Sequence, residues 1–458
     1  MENKENRMGT LPEGELLARM AIPMMFSMLL QALYNVVDSY FVSRVSQDAF
    51  NALSLAFPLQ SLMIALGSGT GLGINALISR SLGQRDQEMA DRTANSGVVL
   101  FALCALLFSV IGVTASRPFF RAQTDVAAIV DAGATYCGIC LGWSFGIFFQ
   151  FCFERLLQAT GRTTLSMVTQ VAGALINIVL DPILIFGLFG LPAMGVRGAA
   201  IATVLGQMVA ALAGLLLNLR CNPDIHLRMR EMRFRARIAR EVYRIGLPSI
   251  IMQAVGSVLV FGLNQILLTF STVATAVFGA YFKLQSFIFM PVFGLNNGMV
   301  PIISYNYGAR RPERVKKTIR LAVIAAVAIM LVGLALFELM PQTLLRIFDA
   351  DEAMLRDGVP ALRIIALSFL FAGFCIIAGS VCQAIGNPMH SLLISVCRQL
   401  VVLLPSAYLL SLARRLELVW FAYPIAEIVS LILSILFLRK TLREMHAFFD
   451  REGSLQEN

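Results

Sequence analysis

Charge is what this 458-residue chain has least of: Asp, Glu, Lys and Arg make up 14% of it, against 57% hydrophobic residues. A soluble domain carries about 25% charged residues, so a water-bathed globule is excluded. Histidine is scarce as well. His226, His390 and His446 fall outside the centres of the apolar runs, and no nucleophile–base or metal-ligand cluster accompanies them, so the chain is not read as an enzyme. No G-x-x-x-x-G-K-[ST] string occurs, which leaves ATP-driven transport without support. Period-two alternation is missing from the apolar runs, which argues against barrel strands. The cysteines do not pair into a framework. Cys104, Cys137, Cys140, Cys152, Cys375, Cys382 and Cys397 lie within apolar runs and read as small packing residues. Cys137-x-x-Cys140 has no second pair, so neither metal binding nor redox chemistry is assigned to it. Residues 1–15 are polar and lead into a run too long for a signal-peptide core, so no cleaved leader is expected.

What is present is long apolar segments. They lie near 16–42, 50–79, 93–115, 127–152, 163–188, 194–219, 246–270, 275–304, 320–340, 361–384, 390–411 and 418–438. Each is close to the roughly 20 residues that a helix needs to cross a bilayer. The reading is an all-α integral membrane protein with twelve spans, placed in the cell membrane. Net charge is +9, and its location matters more than its sum. Counting from a cytoplasmic Met1, the outer loops hold only Arg44, Arg117, Arg121, Arg197, Arg346, Arg356, Arg414 and Arg415, while most other Lys and Arg fall on the cytoplasmic side. By the positive-inside rule both termini are expected in the cytoplasm. The basic excess therefore reports topology and anionic lipid, not nucleic acid.

An internal repeat appears at a shift of 225 residues. Phe57, Leu59, Gln60, Ser61, Gly69, Gly73, Ile78, Ser79, Gly83 and Arg85 recur as Phe282, Leu284, Gln285, Ser286, Gly294, Gly298, Ile303, Ser304, Gly308 and Arg310. Pro23 matches Pro248, and Gln158, Ala159 and Gly161 match Gln383, Ala384 and Gly386. Six helices per copy make these parallel repeats, two six-helix bundles related by a pseudo-twofold axis. The expected division is a short segment 1–15, a first lobe 16–219, a basic linker 220–245, a second lobe 246–440 and a tail 441–458. The linker carries Arg220, Arg228, Arg230, Arg233, Arg235, Arg237, Arg240 and Arg244. Its later part has helical spacing, as an amphipathic surface helix would. Gly67, Gly69, Gly71 and Gly73 in helix two read as close packing through small residues. The GTGLG string among them follows no strand and is not a nucleotide loop.

The informative residues are ionisable ones inside the runs. An aspartate at the centre of a lipid-facing helix costs on the order of 2.5–3.5 kcal/mol or more, so Asp38 in helix one and Asp181 in helix five need protein or water around them. Both helices run outward, and both carboxylates lie about five to seven residues from the outer end, at similar depth. Tyr34 precedes Asp38 by four and Asn177 precedes Asp181 by four, so each shares its partner's face. Pro182 removes a backbone donor and should bend helix five, freeing a carbonyl beside a carboxylate. Thr203 on helix six and Tyr136 on helix four are the expected further wall. Two carboxylates in one dry pocket cannot both stay ionised cheaply, which suits a proton; Na⁺ fits instead if enough oxygens converge. The alternative is a hydrogen-bond cluster that merely ties helices one and five.

The second half differs. Lys283 and Glu427 lie at similar depth and are expected to pair, with Glu427 otherwise free to attract a cationic substrate; Arg398 is mid-span without an evident partner. Gln31 and Asn35 on helix one complete the candidate substrate contacts with Glu427 and Lys283. Met (21) and Phe (32) are abundant, and a cleft lined with both would accept varied amphipathic cations.

Tyr34-Asn35-x-x-Asp38, LISRSLGQRD at 77–86, ERLLQATGR at 154–162, NIVLDPILIFG at 177–187 and GVRGAAIAT at 195–203 together resemble the multidrug and toxic compound extrusion family, in its MepA-like and DinF-like branch. The resemblance spans essentially the whole chain. It implies a monomeric secondary antiporter, without a cofactor, that expels small cationic amphipathic compounds in exchange for H⁺ or Na⁺ by alternating access of two lobes. Carried over by position, the ion site is Asp38, Asn177, Asp181 and Thr203, with Tyr34 and Tyr136 alongside and Na⁺ at Asp38 and Asp181 as the metal alternative. The NorM-like branch uses acids in helices seven and ten, which the interiors of those helices lack here. The alternative function is a flippase of a lipid-linked precursor, which would need several deep arginines where only Arg398 is found.

Overall fold

A computed structural model describes residues 6–348 and 350–456. Described residues are helical wherever the chain is apolar, as continuous runs without water require: only a helix or a closed barrel satisfies every backbone group inside lipid. Ten helices are long and apolar enough to span a membrane, or twelve when each of two bent pairs counts as one span. In order they are helix one (Glu13–Ser43), two (Gln47–Gly83), three (Gln87–Arg121), the bent helix four (Ala127–Gly142 with Phe145–Ala159), five (Thr163–Phe186) and six (Val196–Cys221). Then come seven (Ala236–Leu268), eight (Thr272–Gly308), nine (Pro312–Leu339), the bent helix ten (Glu352–Ala366 with Phe369–Ile385), eleven and twelve (Ala422–Gln456). Helix eleven joins Pro388–Val396 to Leu404–Ser411 through a π-helical stretch, Cys397–Leu403.

The duplication is reproduced residue by residue. Helices two and eight both have 37 residues and start at positions 225 apart. Ser46 and Ser271 cap them, each accepting from the backbone N–H three residues on at 3.0 Å. Arg85 and Arg310, just past the two C-termini, take the same left-handed conformation, φ 62° and 56°. Ser79 donates to the carbonyl of Ala159 (2.9 Å) and Ser304 to that of Ala384 (3.0 Å). Gln158 donates to Ser166 and Gln383 to Ser391, both at 2.9 Å. Helix four bends by 43° and helix ten by 49°. The same joints are thus built twice.

The chain divides into two compact units, one of Met1–Thr10 with Phe26–Leu247, the other of Leu11–Met25 with Pro248–Asn458. The division departs from the expected lobes at helix one, whose first turns belong to the second unit. There Glu13 pairs with Arg314 (3.4 Å) and Lys317 (2.8 Å). The linker belongs to the first unit. Its residues from Asn222 to Arg235 hold no surface helix beyond one 3₁₀ turn, Met229–Glu231; the helical spacing read from the sequence is the start of helix seven, from Ala236. Asp91 accepts from the backbone N–H of His226 (2.8 Å), and Asn95 donates to the carbonyl of His226 (2.9 Å) and accepts from the N–H of Arg228 (2.9 Å), so the strap is tied to helix three. The core of this unit is aromatic, with Phe101, Phe108 and Phe148 fully buried. Gly67 and Gly71 of helix two sit against Phe151 and Arg155, as the small-residue reading expects.

Candidate functional site

Helices five and six set the geometry. Gly173 and Gly206 face one another so closely that a Cβ on Gly206 would lie 2.7 Å from the Gly173 carbonyl oxygen and 3.1 Å from Asn177 Cβ. Small residues let the helix backbones approach, and one turn beyond this contact Asn177 meets Thr203. Helix five runs unbroken through Pro182, whose missing N–H leaves the Ile178 carbonyl without its helical bond. Asp181 is fully buried, Asn177 2%, Tyr136 3% and Thr203 8% exposed.

The polar groups form a chain. With its amide nitrogen toward the carboxylate, Asn177 donates to Asp181 Oδ2 at 2.9 Å and accepts from the Thr203 backbone N (3.0 Å) and Oγ1 (3.3 Å). The opposite amide orientation keeps a bond to Thr203 at 3.3 Å but turns the amide oxygen on the carboxylate, acceptor against acceptor. The Tyr34 hydroxyl stands beside that of Thr203. Asp38 and Asp181 lie within hydrogen-bonding reach of each other. Tyr136 stands beside Asp38 and Tyr34 and accepts from Gln60 Nε2 at 3.1 Å. Asp38 Oδ1 and Asp181 Oδ1 are buried and have no hydrogen-bond partner among the described residues. An ionised carboxylate only accepts, so two facing carboxyl groups can bond only when they share a proton. All six residues expected at the ion site are therefore together. Their equivalents 225 positions later are Leu259, Leu263, Ala361, Val402, Ser406 and Ile428, so this chemistry belongs to the first copy.

The other expectations fare differently. Gln31 and Asn35 are exposed, one turn apart on helix one. Lys283 does not pair with Glu427. Its ammonium lies 5.9 Å from the centre of the Phe348 ring, on an exposed side chain. The partner of Glu427 is Arg398, at 3.5 Å. A lysine carries a strongly hydrated point charge on a flexible stem and reaches for water, whereas a guanidinium is less hydrated and tolerates burial against a carboxylate.

Two residues were not singled out from sequence. Gln60 was seen only as a repeat identity. Glu154 falls past the expected end of helix four at 152, but the helix continues to Ala159 and buries it at 3% exposure. Its carboxylate accepts from Gln150 (3.0 Å) and Gln170 (2.8 Å), while the Thr169 hydroxyl nearby donates to the Ser166 carbonyl at 2.7 Å. An acid flanked by Gln150 and Gln158 at i±4 was the available signal. Glu154→Leu strands the two amide donors, and an unmet buried donor costs about 1–3 kcal/mol. The expected result is a clear loss of thermal stability in detergent, with Glu154→Gln closer to wild type.

Among the described residues no group of three or more His, Cys, Asp or Glu gathers as a metal site. A family model, MatE, matches residues 23–183 and 248–409, one stretch in each copy. The multidrug export protein MepA of Staphylococcus haemolyticus is 27% identical over 418 residues, covering 89% of each chain. A protein of Shewanella oneidensis named FAD transporter is 25% identical over 91% of this chain and 92% of its own. A solved structure, the outward-facing conformation of a multidrug resistance MATE family transporter, superposes with a TM-score of 0.91 at 26% identity, over 98% of this chain and all of that one. With a buried carboxyl pair in the first copy and a matched segment in each, the chain belongs to the MatE family of multidrug and toxic compound extrusion transporters.

Proposed function

We propose that this transporter is a proton-coupled antiporter exporting small cationic amphipathic compounds, with the Asp38–Asp181 pair as the coupling site. The observation that carries the reading is that two acid side chains on helices one and five face each other in a buried site, where sharing one proton relieves the repulsion of two carboxylates. Asn177 supports H⁺ over Na⁺: it turns its NH₂ toward Asp181, so its oxygen is spent on Thr203 and is withheld from a cation. Oxygens alone hold a hard cation well. Release of the proton leaves two adjacent carboxylates in a buried site, a state favouring rearrangement of helices one and five. That is how loading can bias which side the transporter opens to. The flippase alternative loses support because Arg398 is neutralised by Glu427.

The test is transport in proteoliposomes with an imposed pH gradient or an imposed Na⁺ gradient, applied separately, with ethidium as cationic cargo and FAD as anionic cargo. The expected result is ethidium movement driven by the pH gradient and indifferent to Na⁺. Movement driven by Na⁺ alone overturns the proton reading, and movement of FAD without ethidium overturns the cargo.

A further inference from the structure

A second polar constellation lies in the other unit, away from the carboxyl pair. Arg398 sits on the π-helical stretch of helix eleven, and Glu427 on helix twelve. Their side chains keep 28% and 8% exposure, so the guanidinium is the more accessible of the two. π-Helical turns recur at functional sites because they displace one residue from the ordinary helical register.

What makes the pair unusual is how much of it is unused. Among the described residues, the guanidinium's contact to an acceptor is Nη1 to Glu427 Oε2 at 3.5 Å, which leaves most of its donors unengaged. Glu427 Oε1 is buried and has no hydrogen-bond partner among the described residues. The thiol of Cys375, a weak donor, also faces this carboxylate, so a weakly held acceptor stands next to free donors. The groups facing Glu427 are Arg398 from helix eleven, Tyr281 from helix eight and Cys375 from helix ten, while Tyr423, one turn before Glu427, faces Arg398. Tyr281, buried against Phe278 and Phe337, meets the half-buried Tyr423 edge to face at 5.6 Å, so aromatic rings back the ion pair. The Ser430 and Ser434 hydroxyls, also on helix twelve, are buried beside the Cys375 thiol.

We infer that Arg398 and Glu427 form a receptor for the carboxyl headgroup of an aromatic solute, bound together with one proton. One oxygen of the headgroup accepts from the Arg398 guanidinium. The other shares a proton with Glu427 Oε1, as O–H···O. Charge balances: the empty pair is neutral, and the bound state adds one carboxylate and one proton. No covalent bond forms or breaks. The site would admit acids that a purely cation-selective cavity rejects, and it does so independently of the carboxyl pair in the first copy.

The experiment is titration calorimetry of the full chain in detergent, in two buffers of different ionisation heat, with 2-naphthoate and 2-naphthamide as probes. Wild type should take up about one proton per naphthoate and none per naphthamide, since the amide brings its own donor for Glu427 and acceptor for Arg398. Naphthoate affinity should fall from pH 6 to pH 8, while naphthamide affinity stays level. Glu427→Gln should still bind naphthoate but without proton uptake. Arg398→Gln should weaken both probes ~10-fold or more, the loss of a charge-assisted hydrogen bond. If Arg398→Gln does not give a monodisperse protein, the double variant Arg398→Gln with Glu427→Gln leaves no charge unpaired and takes its place, with both probes expected to be lost. Naphthoate binding without proton uptake in wild type, undiminished binding in the arginine variants, or no binding of either probe overturns the inference. None of these readouts needs an ion gradient, so failure here is distinct from failure of proton coupling.

Discussion

Asp181→Asn should reduce ethidium efflux from loaded cells by ~100-fold, the scale on which a positioned proton-transfer group acts, while leaving the protein in the membrane at normal abundance. An amide keeps the shape of the side chain and can still bond Asn177, but it cannot carry and release a proton. Asp38→Asn should do the same. Because the two act as a unit, the double variant should be scarcely worse than either single one, the non-additivity expected of groups sharing one task. Both measurements need the amount of inserted protein alongside the flux. Full efflux in both single variants removes the coupling role and leaves the cluster as a tie between helices one and five.

The second large effect comes from a residue with no functional group. Gly206→Leu should cost about 3 kcal/mol or more, the upper end of what overpacking costs, because its Cβ alone would press on backbone, the Gly173 carbonyl oxygen at 2.7 Å. Backbone cannot swing aside as a flexible side chain can, so helices five and six must part. The Asn177–Thr203 contact one turn away then opens, and transport is lost along with stability. Gly279→Ala is the control. Nothing lies within 4 Å of a Cβ there, and alanine in a helix interior gains about 0.5–1 kcal/mol over glycine. Thermal unfolding of the purified proteins, read beside efflux, separates the two. Equal melting of Gly206→Leu and wild type would show that the helix contact is not tight.

How far the sequence carried the argument depends on the residue. Asp38 and Asp181 stand out because apolar runs make any acid conspicuous, and the period of a helix puts Tyr34 and Asn177 on their faces. The repeat was legible from identities at one fixed shift, since Ser79 and Ser304 or Gln158 and Gln383 perform the same local task in each copy. Arg398 was not legible. Its partner depends on a π-helical turn, which moves a side chain off the face that ordinary spacing assigns. Glu154 was missed because hydropathy ends a span where polar residues begin, although amides one turn away can keep a carboxylate inside. Helix one was split between units for a related reason: Glu13 finds its cations on helix nine, a contact no local pattern announces.

The matched joints of the two copies have a bearing on mutational tolerance. Ser79→Ala and Ser304→Ala remove equivalent ties between a helix and the end of a bent neighbour, so damage at either should look alike. Asp181 and Ser406 are also equivalent by position, yet only the first carries a carboxylate. The joints are held in duplicate, while the carboxyl pair exists once: a lesion in a joint has a counterpart to be compared with, and a lesion at the acids has no understudy.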